Sequence, residues 1–235
     1  MKVSLVIYTL NEREGMGIIM PQISKDWYDQ LLVIDGGSTD GTVEYCREMG
    51  YPVHVQKERR WGGAYKEAFE RVTGDIIVDF SPDGNSPPEV IPRLVAKMRE
   101  GYDMVIASRY TAGAFSEDDT PITRLGNKLF TVIVNLLFGS RYTDTLVILR
   151  AYHRSFLERA GLMGCALDQC GTMLLSIRCA KIGGKFADIP GDEPKRLAGR
   201  QKMNIVIDGL RVAAIILKEF IFYNVKIASR ILVRW

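Results

Sequence analysis

The chain has 235 residues, of which 47% are hydrophobic and 25% charged, with a net charge of +3. That composition suits one globular core and excludes disordered and fibrous classes, and so small a net charge carries no footprint for nucleic acid. Four cysteines without a CxxC pair point to a reduced, cytoplasmic setting, and only two histidines, far apart at His54 and His153, leave little material for a zinc site or a Ser/His/Asp triad.

The opening MKVSLVIYTLNE holds one lysine, a short apolar run and no small-residue cleavage site, so it reads as a first strand and not as a signal peptide. Val3 to Tyr8 has the compact apolar character of a buried parallel strand, opening onto Asn11. Leu31 to Ile34 repeats this before Asp35 and a Gly-rich turn, and a helix is expected from about Thr42 to Met49. Val53 to Gln56 suits a third strand, Ala64 to Val72 a helix, and Ile76 to Phe80 a fourth strand that ends in SPDGNSPPE. Pro87 and Pro88 suit the first turn of a helix carried by Val90 to Arg99, and Met104 to Ala107 gives a fifth strand. This alternation predicts an α/β fold, a mostly parallel sheet flanked by helices on both faces. Ligands in such sheets bind beyond the carboxyl ends of the strands, where Asn11 and Glu12, Asp35 to Asp40, Ser81 to Asn85 and Ser108 to Tyr110 collect.

After Tyr110 an acidic loop leads to an apolar helix at Leu129 to Phe138, then to a section without clear periodicity as far as Gly164. Thr172 to Ile182 reads as a helix, Lys185 to Ile189 as a short strand, and GDEPKRLAGRQK as an exposed basic loop. Residues 1–203 are therefore expected to form the main domain and 204–235 an amphipathic helical segment. In that segment Asp208, Arg211, Lys218, Glu219, Lys226, Arg230 and Arg234 fall within roughly 160° of one another on a helical wheel, opposite an aliphatic face. Asn224 falls on the aliphatic side, which predicts a joint between two helices near Phe222 to Asn224. The segment suits either packing on the domain or on a second copy in a homodimer, or a membrane surface, the latter favoured by its late basic residues and Trp235. No stretch approaches the roughly 18 apolar residues of a membrane span.

Asp83, in a turn after a buried strand, suits a divalent metal that neutralises a departing diphosphate, and Asn85 can add a carbonyl oxygen. Taken alone, a metal-free Asx turn is the better explanation of these residues, since Asp, Gly, Asn and Pro are turn formers in any case. TLNE at 9–12 and DGGSTDGT at 35–42 also follow strands, and the second offers Asp35 to base or ribose hydroxyls beside permissive glycines.

Together with GGA at 62–64, TGD at 73–75, SPDGNSPPE, ASRY at 107–110, TRLGN at 123–127 and RLAGRQK at 196–202, these segments resemble in order the family-2 glycosyltransferases of the GT-A fold. Within that family the chain is similar to the polyprenyl-phosphate sugar synthases, typified by the dolichol-phosphate mannose synthases, over roughly residues 3–203. The resemblance implies a hexosyltransferase that uses Mg²⁺ or Mn²⁺ and takes a sugar from GDP-mannose or a UDP-hexose. The acceptor it implies is a polyprenyl phosphate, approached from the cytoplasmic face of a membrane, with no nucleic-acid partner.

It places Thr9, Asn11, Glu12, Asp35, Gly63, Ser81 and Asp83 about the nucleotide sugar, with the metal on Asp83 and Asn85. Arg109 and Arg124 would hold the acceptor phosphate, while Arg196, Arg200 and Lys202 would close over the phosphates. Three departures stand out: Ser81 replaces the first Asp of the family's DxD signature, Gln201 replaces a usual Ser, and the carboxylate expected before MLLSIR is missing. Asp168 is the nearest acid that could serve as a base. A phosphate monoester is already anionic and needs orientation more than deprotonation, so a site short of a base favours a phosphate acceptor. A saccharide or small-molecule acceptor and a non-catalytic sugar-nucleotide binder are the alternatives.

Overall fold

The computed structural model describes residues 1–58, 60–163, 171–197 and 204–232, with backbone alone over 223–232. Seven strands, β1 (Val3–Thr9), β2 (Gln30–Asp35), β3 (Val53–Val55), β4 (Ile76–Phe80), β5 (Met104–Ser108), β6 (Arg150–His153) and β7 (Phe186–Pro190), form one sheet in the order β3-β2-β1-β4-β6-β5-β7. All neighbours pair in parallel except β6, which runs antiparallel between β4 and β5. The carboxyl ends of β1, β2, β4, β5 and β7 therefore lie along one edge, as the strand–helix alternation predicts.

β1, β4 and β5 are buried at every residue, since helices cover both sheet faces. Burying a side chain such as Leu5 or Ile7 is worth roughly 1.5–3 kcal/mol, which fixes strands with no polar face to show. The helices are α1 (Arg13–Ile19), α2 (Thr42–Glu48), α3 (Arg60–Phe69), α4 (Val90–Met98), α5 (Pro121–Phe138), α6 (Arg154–Arg159), α7 (Gly171–Lys181) and α8 (Ile205–Leu232).

Several elements depart from expectation for identifiable reasons. α1 follows directly on Glu12, and a Cβ on its Gly15 would stand 2.2 Å from the Pro82 carbonyl oxygen, so the bare glycine lets α1 rest on the turn after β4. α3 starts at Arg60 rather than Ala64, and Pro87 and Pro88 precede α4, their carbonyls accepting from Val90 and Ile91. α5 starts at Pro121, eight residues before the apolar run, because Thr120 and Thr123 form a capping box. The TRLGN segment is thus the first part of that helix.

β6 lies in the section without periodicity and carries the fully buried Arg150. Its guanidinium donates to the carbonyls of Thr145 (3.1 Å), Val147 and Thr172 (2.8 Å) and to the Ser176 hydroxyl (3.1 Å). It thereby ties β6 to the start of α7.

The C-terminal segment is one continuous helix through 222–224, correcting the predicted joint. Its orientation also differs from the simple amphipathic picture. Val212, Ile215, Ile216 and the charged Glu219 turn inward, Glu219 accepting from Arg178 and Lys181 at 2.7 Å each. Val206, Leu210, Leu217 and Ile221 face outward and are exposed. α5, which contacts α8, does the same with Ile122, Leu125, Leu129, Val132 and Leu136. Among the described residues, no helix is long and apolar enough to cross a membrane.

Candidate active site

At the ends of β1 and β2 two loops are tied by carboxylates. Asp35 is fully buried and accepts from the Gly37 and Ser38 amides (2.9 and 2.8 Å), the Ser38 hydroxyl (2.5 Å) and the Thr9 hydroxyl (2.9 Å). Four donors use all the lone-pair positions of a carboxylate. Asp35 therefore shapes the DGGST loop, with Thr9 as its partner, and in this arrangement both side chains are engaged within the protein.

Asp40 accepts from the Arg13 amide (3.0 Å), the Thr42 amide (3.0 Å) and the Thr42 hydroxyl (2.5 Å). Its partial burial would raise its pKa, but the Thr42 and Arg13 hydrogen bonds outweigh that and hold it below the ordinary value. Asn11 bridges the loops, its side-chain oxygen accepting from the Thr39 amide at 2.8 Å while its own amide donates to the Ser38 hydroxyl at 2.7 Å. It holds φ at 52°, a left-handed conformation that Asn tolerates better than most residues. The Glu12 side chain is buried beside them, its amide on the Thr42 hydroxyl. Gly63 lies inside α3, where a Cβ would stand 2.2 Å from the Glu58 carbonyl oxygen, so its glycine is required by close packing.

In the turn after β4, Ser81 is half-buried and Asp83 buried. The Asn85 amide donates to Asp83 at 3.3 Å, and the Asn85 side chain reaches Asp118 at 3.5 Å. The other Asp83 oxygen is held by Arg196 Nη1 at 2.8 Å. Asp79, on β4, faces the core, where it accepts from Tyr152 and Tyr8.

Arg109 sits at the end of β5, almost wholly buried. It forms a two-pronged contact with Asp144 (2.7 and 3.1 Å) and a third with Glu193 (3.2 Å), and stands 3.9 Å from Asp119. Burial alone would raise the Asp144 carboxyl, but Arg109 beside it holds it below its ordinary value; for Glu193 burial outweighs Arg109 and the carboxyl is raised. The guanidinium is thus neutralised from inside. It is not a surface ion pair, and in this arrangement it holds the 191–193 loop against β5.

Arg124 is exposed on the first turns of α5 and engages no acidic side chain among the described residues. Lys128, one turn further, is exposed on the same side, its ammonium 5.6 Å from the Tyr110 ring centre. Tyr110 in turn donates to Asp119 (2.5 Å) and accepts from Asn127 (3.0 Å). Asp144, Glu193 and Lys128 are neighbours of these candidate residues that the sequence alone does not single out. Lys128 was accessible through its i+4 spacing from Arg124, whereas nothing local in YTDT marks a buried carboxylate. Asp168, Arg200 and Lys202 lie outside the described residues.

A mostly parallel sheet with one antiparallel strand, loops gathered at the carboxyl edge and one carboxylate after a central strand match the GT-A fold of glycosyltransferases. The chain belongs to glycosyl transferase family 2, whose model matches residues 4–161.

Over 223 residues it is 29% identical to the dolichyl-phosphate hexose transferase of Haloferax volcanii, covering 92% of each chain. Over 219 residues it is 33% identical to the undecaprenyl-phosphate 4-deoxy-4-formamido-L-arabinose transferase of Enterobacter sp. (strain 638), covering 87% of this chain and 63% of that protein. In structure it resembles glucosyl-3-phosphoglycerate synthase from Mycobacterium tuberculosis, solved with Mg²⁺ and UDP, at a TM-score of 0.73 and 21% identity, covering 93% of this chain and 79% of that one.

Proposed function

We propose that this glycosyltransferase moves a hexose from a nucleotide diphosphate sugar to a polyprenyl phosphate, inverting the anomeric centre, while resting on the cytoplasmic surface of a membrane. One observation carries the reading. α5 holds the exposed cations Arg124 and Lys128 beside an exposed aliphatic row, Ile122, Leu125, Leu129, Val132 and Leu136, so one helix meets both chemistries of an acceptor that is anionic at its head and aliphatic behind it. The outward aliphatic row of α8 extends this surface. The likeness to two lipid-phosphate sugar transferases supports the same acceptor class.

The donor is a GDP- or UDP-linked hexose lying over the Asn11, Glu12 and 36–39 backbone, a frame that Asp35 and Asp40 hold rigid. Asp83 and Asn85 place carboxylate and amide oxygens in one turn, a donor set that fits Mg²⁺ or Mn²⁺ sharing its shell with a diphosphate. Among the described residues no three His, Cys, Asp or Glu side chains form a cage of their own. Bound there, the cation supplies neutralisation of the departing diphosphate.

Arg124 and Lys128 orient the acceptor phosphate for in-line attack, and its existing charge spares the site a base. Arg196, followed in sequence by Arg200 and Lys202, supplies positive charge to the leaving side.

The test is release of nucleoside diphosphate from a panel of GDP- and UDP-sugars with Mg²⁺ or Mn²⁺, with and without polyprenyl phosphate in anionic vesicles. Release that requires the lipid phosphate supports the proposal and names the donor. Equal release without it, or release only with a soluble saccharide, overturns the acceptor assignment.

A further inference from the structure

The guanidinium of Arg196 occupies the carboxylate on which a divalent cation is expected, at 2.8 Å from Asp83. The pair is well shielded, Asp83 being 7% and Arg196 22% exposed, so solvent does little to weaken it. Leu197 fastens the same short stretch twice. Its amide donates to the Asp83 carbonyl at 3.1 Å, and its side chain lies where a Cβ on Gly84 would be, 2.6 Å away. Gly84 holds φ at 84°, so the turn already has the one residue type that suits both demands.

The beginning of the loop is anchored elsewhere. Gly191 donates to the Ser108 carbonyl (3.0 Å), Glu193 exchanges backbone hydrogen bonds with Phe115 and Glu117 (2.9 and 2.8 Å), and the Glu193 side chain holds Arg109. The 191–193 part is thus fixed to β5 and the 115–117 segment, while among the described residues 196–197 is held by the turn after β4.

Two features make the Arg196 contact exchangeable. Nε of Arg196 is buried without a hydrogen-bond partner among the described residues, a cost that a different position of the guanidinium would relieve. Ser81 stands two residues before Asp83 where a second acid would add charge, so one arginine cancels the local carboxylate fully and leaves little to attract a bare dication.

We propose that Arg196 is the resident counter-ion of Asp83 and sets the order in which the donor site is filled. A cation alone must evict the guanidinium with nothing to offer it, whereas a cation arriving with a diphosphate frees Arg196 to pair with phosphate oxygens. Metal affinity is then low without nucleotide and high with it, and the 196–197 stretch leaves Asp83 and Gly84 only when the donor is present. This rests on Asp83 being the metal ligand, and on nothing about the acceptor.

The test is Mn²⁺ binding by electron paramagnetic resonance on the full chain, with Mn²⁺ alone, with UDP and with GDP, and no acceptor. Wild type is expected to bind Mn²⁺ alone weakly and with nucleotide tightly. Arg196→Gln should bind Mn²⁺ alone roughly tenfold to a hundredfold better than wild type, the worth of a charged hydrogen bond removed from competition. Arg196→Lys, which keeps the charge, should stay within a fewfold of wild type, and matching thermal melts confirm that both variants are folded. Arg196→Gln binding Mn²⁺ alone no better than wild type overturns the proposal. Asp83→Asn that still binds Mn²⁺ with nucleotide removes instead the metal assignment beneath it.

Discussion

Around the ends of β1 and β2 the carboxylates of Asp35 and Asp40 are answered by hydrogen bonds from two adjoining loops, whereas across β4, β5 and the 191–197 loop charges are answered by charges from distant segments. Asp35 and Asp40 use amides and hydroxyls between Thr9 and Thr42. Asp83 and Arg109, by contrast, meet partners 113, 35 and 84 positions away, at Arg196, Asp144 and Glu193. Hydrogen bonds from neutral amides and hydroxyls to these carboxylates make a frame that is complete without a ligand. Ion pairs between separate segments can exchange one partner for another, which is what a site handling three phosphates requires.

The comparison is sharpest at Asp83. Asp83→Ala is expected to reduce transfer by about a thousandfold, comparable to losing a key electrostatic group, while leaving the thermal melt close to wild type. Retained turnover in a nucleoside diphosphate release assay would place the metal elsewhere.

Asp35→Ala should show the opposite profile. Four donors lose their acceptor in a fully buried position, and the expected loss is about 3 kcal/mol in urea denaturation. A stable variant with a raised donor KM would mean that Asp35 touches the nucleotide after all.

The smallest effect concerns Asp79, whose carboxyl burial raises to about 7 from an ordinary 3.8. Between those values the folded chain keeps a proton that the unfolded chain has released, so the contribution of this group is full below about pH 4 and lost as pH rises through 7. Asp79→Asn is expected to flatten that part of the pH dependence, read as urea midpoints at pH 5 and pH 8. An unchanged slope would show the carboxyl to be ionised in the folded protein.

The frame-like half is also the half that was legible in the sequence. Apolar runs mark β1, β2, β4 and β5, and turn-forming residues mark the loops that follow them, so the sheet edge and its polar residues could be placed from local pattern. β6 could not, because the hydrogen bonds of its buried Arg150 are met by carbonyls and a hydroxyl from other segments, and in its own segment it looks like a surface residue. The orientation of α8 was hidden for the same reason: Glu219 turns inward only because Arg178 and Lys181 of α7 wait there. Arg109 was found as a candidate but not its occupation by Asp144 and Glu193, since long-range ion pairs leave no trace in spacing.

The acceptor surface proposed on α5 can be probed by titrating polyprenyl phosphate in vesicles against wild type and the Arg124→Ala, Lys128→Ala double variant, at saturating donor and metal. An acceptor KM raised roughly tenfold or more is expected, because two charge-assisted hydrogen bonds to the phosphate would be removed, with the donor KM unchanged. An unchanged acceptor KM, or a rise confined to the donor, would contradict it.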